Sequence, residues 1–246
     1  MRSRSGAVGV GRPAAVALAL WSAAIAAGAA SAFSDESADL VATMIRRVLA
    51  GPEATARVTI ERSDPFGGPP ARERGRVWFL PGRGLRYRSA EKGGQDVVID
   101  RVKDSFTMYS PQEGTLYRGA YGRAPARLRR LIAEPEHAMT ANLSPVAERR
   151  EIGSVPRAGY RLGTSALGDS AGRVSVWVSR DADSGLPRFV SLASDVDTVL
   201  VEFREWKLQA KARPGDLESS APRGTREEPL DPRELFDRAG PGSKSR

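Results

Sequence analysis

Cysteine is absent from all 246 residues, so no disulfide framework can staple this chain and no thiol can carry a lipid. Histidine is almost as scarce. His137 stands alone between Pro135 and Pro145, and one histidine without cysteine argues against a zinc or redox-metal site. Long blocks of one charge are missing too: the formal charge is +8, but the basic residues, nearly all arginine, are interspersed with acids, which excludes a nucleic-acid arm.

Motifs for catalysis fail at specific positions. Asp181 to Gly185 (DADSG) opens like a calcium loop, yet Leu192 stands where the twelfth-position glutamate belongs, so a hairpin turn explains it better. Gly163-Thr164-Ser165-Ala166-Leu167 lacks the final glycine of a nucleophile elbow. Asp195 and Asp197 form a lone acidic pair at a turn, and Gly82-Arg83-Gly84 sits between strands rather than before a helix. No enzyme activity, cofactor or metal is expected from these residues.

What the chain does contain begins with a leader-like segment. Arg2, Arg4 and Arg12 precede an apolar run from Ala14 to Ala27, and Ala30-Ser31-Ala32 offers the small residues a signal peptidase reads. Residues 1–32 are therefore expected to be a cleaved signal peptide, with a mature start at Phe33 and a location in the periplasm. Setting aside the three leader arginines leaves 35 basic against 30 acidic residues, a net charge of +5. A helix is predicted over Ser34 to Leu49, where Leu40, Val41, Met44, Ile45, Val48 and Leu49 make one apolar stripe. Gly51-Pro52 stops it.

The centre of the chain, Gly75 to Pro111, alternates at the two-residue period of half-buried strands. Val77 and Phe79, Leu85 and Tyr87, Val97 and Ile99, and Phe106 and Met108 fall in phase, and the breaks between them are short enough for hairpins. Pro125 to Ala133 reads as a second, short helix followed by an irregular stretch to Pro145. Strand-like runs resume at Val146 to Ile152, Tyr160 to Ser165, Arg173 to Ser179, Pro187 to Ala193 and Thr198 to Leu208, the last changing phase near Arg204 as at a bulge. From residue 213 onward, proline, glycine and charge predict a partly disordered extension. The fold class is mainly β: a curved antiparallel sheet with one apolar face.

Several stretches together resemble the periplasmic outer-membrane lipoprotein carriers, the LolA/LolB-like family. Gly75 to Gly82 (GRVWFLPG), Leu85-Arg86-Tyr87, Val97 to Asp100, Phe106 to Pro111 ending in Tyr-x-Pro, Ser184-Gly185-Leu186-Pro187 and Ala221-Pro222-Arg223-Gly224 follow the family's order of strands and turns. The resemblance covers most of residues 33–212 and implies an open antiparallel half-barrel of roughly eleven strands, with helices covering its concave face and a hydrophobic cavity between. It further implies a carrier that binds the acyl chains of a lipoprotein or related lipid and shuttles them from the inner to the outer membrane. The partners would be an inner-membrane release complex and an outer-membrane acceptor; no nucleic acid is involved, and the expected state is a monomer. A sensing module of the same fold, binding lipid or protein without transport, is the alternative. The residues expected to line the cavity are Leu85, Tyr87, Val97, Ile99, Phe106, Met108, Val174, Val176, Val178, Phe189, Val201 and Phe203.

Overall fold

Alternating apolar residues and short turns give strands that pair with their sequence neighbours, and most of this molecule is built that way. The structure, a computed structural model, describes residues 35–49, 51–64, 66–124, 126–133, 145–162, 175–193, 198–208 and 214–233. Helix α1 (Asp35–Leu49) leads into a six-strand meander: β1 (Ala54–Arg62), β2 (Ala71–Leu80), β3 (Gly84–Ser89), β4 (Asp96–Asp100), β5 (Ser105–Ser110) and β6 (Thr115–Ala120). Helix α2 (Ala126–Ala133) follows. A second meander comprises β7 (Val146–Ile152), β8 (Val155–Leu162), β9 (Ser175–Arg180), β10 (Pro187–Ala193) and β11 (Thr198–Leu208).

β7 lies at the edge of the sheet far from β6, so the second meander starts there and works back until β11 pairs with β1. Twelve strands form one open sheet in the order β12-β6-β5-β4-β3-β2-β1-β11-β10-β9-β8-β7. This is an open half-barrel, one strand more than expected. The extra strand, β12 (Arg226–Pro229), comes from beyond residue 213 and runs parallel to β6, so described residues of that segment belong to the sheet itself. Residues 234–246, where further disorder was expected, and the leader at 1–32 lie outside the described residues.

The phase change expected near Arg204 is present. Two residues of β11, Glu205 and Trp206, face the single Ala56 of β1, and Glu205 takes a left-handed φ of 51°. Past this bulge Trp206 turns inward, stacking 5.3 Å from Phe203 and donating from Nε1 to the Pro187 carbonyl at 2.8 Å. Without the extra residue, the indole would lie on the other face of the strand.

The sheet has two unlike faces. The inner one carries a single apolar cluster that takes in Val41, Met44, Ile45 and Val48 of α1 and Ile132 of α2. Among the described residues the outer one carries a smaller apolar cluster, Leu80, Val98 and Leu217 with Trp78 against it. Leu217 belongs to a short 3-10 turn (Pro214–Leu217) that is pinned to this face by a buried ion pair. Arg86 donates to both oxygens of Asp96 at 2.8 Å and to the Asp216 carbonyl at 3.3 Å, while the Ser220 amide donates to Asp96 Oδ2 at 2.6 Å. The hydrogen bonds around this bidentate pair offset much of what desolvating both charges costs.

Candidate functional site

The inner face is the candidate site, and its lateral rows follow from strand register. Phe79, Leu85, Ile99 and Phe106 lie opposite one another across β2 to β5, and Val77, Tyr87, Val97 and Met108 form the adjacent row. In the second meander Val178, Val190 and Val201 continue across β9 to β11 and meet Ile60 of β1, while Phe203 meets Val58. The structure thus brings together Leu85, Tyr87, Val97, Ile99, Phe106, Met108, Val176, Val178, Val201 and Phe203, each 0–7% exposed. Val174 lies outside the described residues.

Phe189 is a correction. It pairs with Glu202, one position out of phase with the inward Val190 and Val201, and its ring lies on the outer face under Arg157 and Arg188. The irregular register between β9 and β10 at Pro187 and Phe189 sets that phase. Sequence reasoning took the aromatic of the Phe189-Val190 pair as inward, but either phase satisfies an alternation that short, and Leu192 was the signal favouring Val190. Also missed as site residues were Ile132 and Leu186, both part of the same buried cluster.

A second expectation changes with the first. Burial this deep means that the centre of the inner face, where a hydrophobic cavity was expected, is closed to solvent among the described residues, while Tyr117, Tyr160, Leu192 and Leu208 at its margins are only partly buried. Helix α1 does much of the closing: Val41, Met44, Ile45 and Val48 are 0–6% exposed. Its C-terminal end is tied down by Arg47, whose guanidinium donates to the Ser184 carbonyl at 2.9 Å in the β9–β10 turn. That turn is preorganised, because the Ser184 amide and hydroxyl both donate to Asp181 Oδ1 at 2.9 Å and Gly185 takes a φ of 68°. These hydrogen bonds, first from the Ser184 backbone and then from its side chain, hold the Asp181 carboxyl below its ordinary range.

No protein-family model and no curated protein matches the chain. Solved structures do. One is an uncharacterized conserved protein from Thermus thermophilus, at 12% identity over 80% of this chain and 100% of that one, with a TM-score of 0.48. Another is a LolA superfamily protein from Nitrosomonas europaea, at 11% identity over 75% of this chain and 97% of that one, with a TM-score of 0.40. A third is the Pseudomonas aeruginosa MucA/MucB complex, at 13% identity over 76% of this chain but only 62% of that one, with a TM-score of 0.43. The chain is similar in structure to LolA superfamily proteins. That similarity concerns the outline of the fold and carries neither ligand nor partner across.

A buried polar group interrupts the inner face. The Tyr87 hydroxyl donates to Glu73 Oε1 at 2.8 Å, and burial first, then the carboxylate beside it, pushes the phenol far above its usual range. Its ring lies across Gly75, where a Cβ would sit 2.6 Å from ring carbon Cε2. Tyr87 therefore stays a neutral donor at any physiological pH. No trio of histidine, cysteine, aspartate or glutamate side chains suited to a metal occurs among the described residues, and no described helix is long and apolar enough to cross a membrane. His137, Asp195, Asp197 and the 163–167 segment lie outside the described residues, whereas Asp181 serves the turn described above.

Proposed function

We propose that this protein binds acyl chains on its inner face and carries them between membranes, with α1 occupying the face when no guest is present. The single observation that supports this is the kind of cover the face has. Much of its cover is a fifteen-residue amphipathic helix that joins the sheet through Gly51-Pro52, and not a second sheet. A helix attached through one short connection can lift as a unit; a sandwiched sheet cannot.

Magnitudes make such an exchange feasible. Exposing the four buried side chains of α1 costs about 1.5–3 kcal/mol each, roughly 6–12 kcal/mol in all. One acyl chain of about 15 methylenes contributes about 0.8 kcal/mol per methylene, roughly 12 kcal/mol before ordering costs. The two terms nearly cancel, which is what a carrier that must both load and release requires. In this reading the cargo is an acylated lipoprotein or free lipid, the compartment is the periplasm, and an inner-membrane release complex and an outer-membrane acceptor act at the two ends.

The test uses the absence of native cysteine. Arg47→Cys and Ser184→Cys, joined by a short bis-maleimide, would hold α1 to the β9–β10 turn. A fluorescent polyene fatty acid should bind the uncross-linked variant and be excluded at least about tenfold by the cross-link. Native mass spectrometry of periplasmic protein should show bound acyl species; an empty protein with no fatty-acid binding would overturn the proposal. The closed state of the inner face also supports a second reading, a sensor that opens for a lipid without transporting it, and transfer between donor and acceptor vesicles separates the two.

A further inference from the structure

The outer face bears a feature that an acyl-chain carrier does not need. Arg88 of β3 lies opposite Arg76 of β2, Arg76 opposite Arg57 of β1, and Arg57 opposite Arg204 of β11, so four arginines form one lateral row. Arg72 and Arg74 flank it on β2, and Arg157 faces it from the β7–β8 hairpin, whose Ile152 and Val155 wall the groove. The groove encloses about 940 Å³ and holds seven arginines against three glutamates.

Like charges directly opposite on neighbouring strands destabilise a sheet, and four in a row compound the cost. Local pairing relieves only part of it. Arg57 pairs with Glu205 at 3.0 Å, Arg72 with Glu61 at 2.6 Å and Arg204 with Glu202 at 2.8 Å. Arg74 and Arg88 have no carboxylate within salt-bridge distance among the described residues, and Arg76 and Arg157 rest only on the Trp78 and Phe189 rings, each 5.7 Å away. The groove therefore retains a surplus of about four positive charges.

We infer that this groove is a binding site for a phosphate-bearing polyanion. Three observations favour that chemistry over an acidic peptide. Every cation in the groove is arginine, whose planar fork matches phosphate oxygens two at a time. The row is spaced at the inter-strand distance of about 4.8 Å, whereas an extended peptide presents same-face carboxylates only every 6.6–6.8 Å or so. The floor is a sheet face, with its backbone groups already paired in the ladder, so a peptide would find no main-chain partners. The volume suits a discrete headgroup or oligophosphate, near the upper end of the usual range for small-ligand sites of about 300–1,000 Å³.

Calorimetric titration of the full chain with inorganic tripolyphosphate should give saturable binding that weakens at least about tenfold when salt rises from about 0.05 to 0.3 M. R74Q/R88Q should weaken it by a further tenfold or more, while R118Q, outside the groove on β6, should leave it unchanged. Because the double variant removes repulsion, it should melt no lower than wild type. Should it melt lower, Thr59→Glu, a charge placed on the groove floor between Arg74 and Glu202, must abolish binding by itself. Co-sedimentation with phosphatidylcholine vesicles containing phosphatidate identifies a lipid headgroup as the source if it is lost in R74Q/R88Q; tripolyphosphate binding without co-sedimentation identifies a soluble phosphate. Absence of both, binding indifferent to R74Q/R88Q, or tighter binding of an octaglutamate peptide would overturn the inference. Fatty-acid binding on the inner face should be the same in wild type and R74Q/R88Q, so this result and that of the carrier reading stand or fall separately.

Discussion

The two faces of the sheet obey opposite rules although they share every strand. The inner face gains stability from each side chain it carries, since Val97, Ile99, Phe106 and Met108 are buried to within 1%. The outer face carries arginines in register that repel one another, and its dry places include the Pro214–Leu217 turn clamped by the Arg86–Asp96 pair and the sites of Trp177 and Phe189. One face is organised for cohesion and the other for charge. A sheet built for stability alone would not hold Arg88, Arg76, Arg57 and Arg204 side by side.

That contrast predicts a steep gradient of mutational cost. On the inner face Phe106→Ala should cost roughly 3–5 kcal/mol, read as a shift in urea midpoint with little change in slope, because a fully buried ring leaves a cavity among neighbours that cannot collapse. Asp96→Ala on the outer face should cost about as much, roughly 3–5 kcal/mol, by stranding Arg86 as an unpaired buried charge. Replacing both partners with apolar residues, Arg86→Met with Asp96→Leu, should recover most of that loss; if the double variant is no better than the single, the clamp is not an ion-pair effect.

Smaller effects refine the comparison. Gly75→Ala should cost roughly 1–3 kcal/mol by overpacking, since its Cβ would lie 2.6 Å from the Tyr87 ring and 2.7 Å from the Arg88 carbonyl oxygen. At Asp181 the folded pKa is depressed, so the stabilisation is fully present above the unfolded carboxyl pKa near about 4 and is lost as pH falls through the lower folded value. Denaturation curves of wild type and Asp181→Ala should differ by about 1 kcal/mol at neutral pH and converge in acid, the turn being partly exposed. Arg88→Gln, at the end of the row, should change stability by less than about 0.5 kcal/mol, and in the favourable direction. A clear loss there would mean that the row is structural.

Legibility in the sequence differed by element for physical reasons. In Ser105 to Met108 apolar and polar residues alternate, which fixes the face each side chain takes, and the structure follows it with Phe106 and Met108 inward. At Phe189-Val190 two adjacent apolar residues satisfy both phases, and an irregular register against β9 decided between them. β12 was illegible because Arg226 to Pro229 has no apolar pattern; it becomes a strand only because β6 offers an unpaired edge. The arginine row was illegible for a related reason. Its four members come from four strands, so their adjacency depends on register, which no single segment encodes.

The order of side chains along each strand, the turns at Gly82, Asp181 and Gly185, the amphipathic stripe of α1 and the lack of cysteine were determined by the sequence, because each is set by composition or by neighbours a few residues apart. What the tertiary structure decided was which strands sit side by side, how far α1 closes the inner face, and that scattered arginines converge into one groove. Those outcomes depend on long-range pairing and burial, and the free energies that set them exist only once distant segments meet.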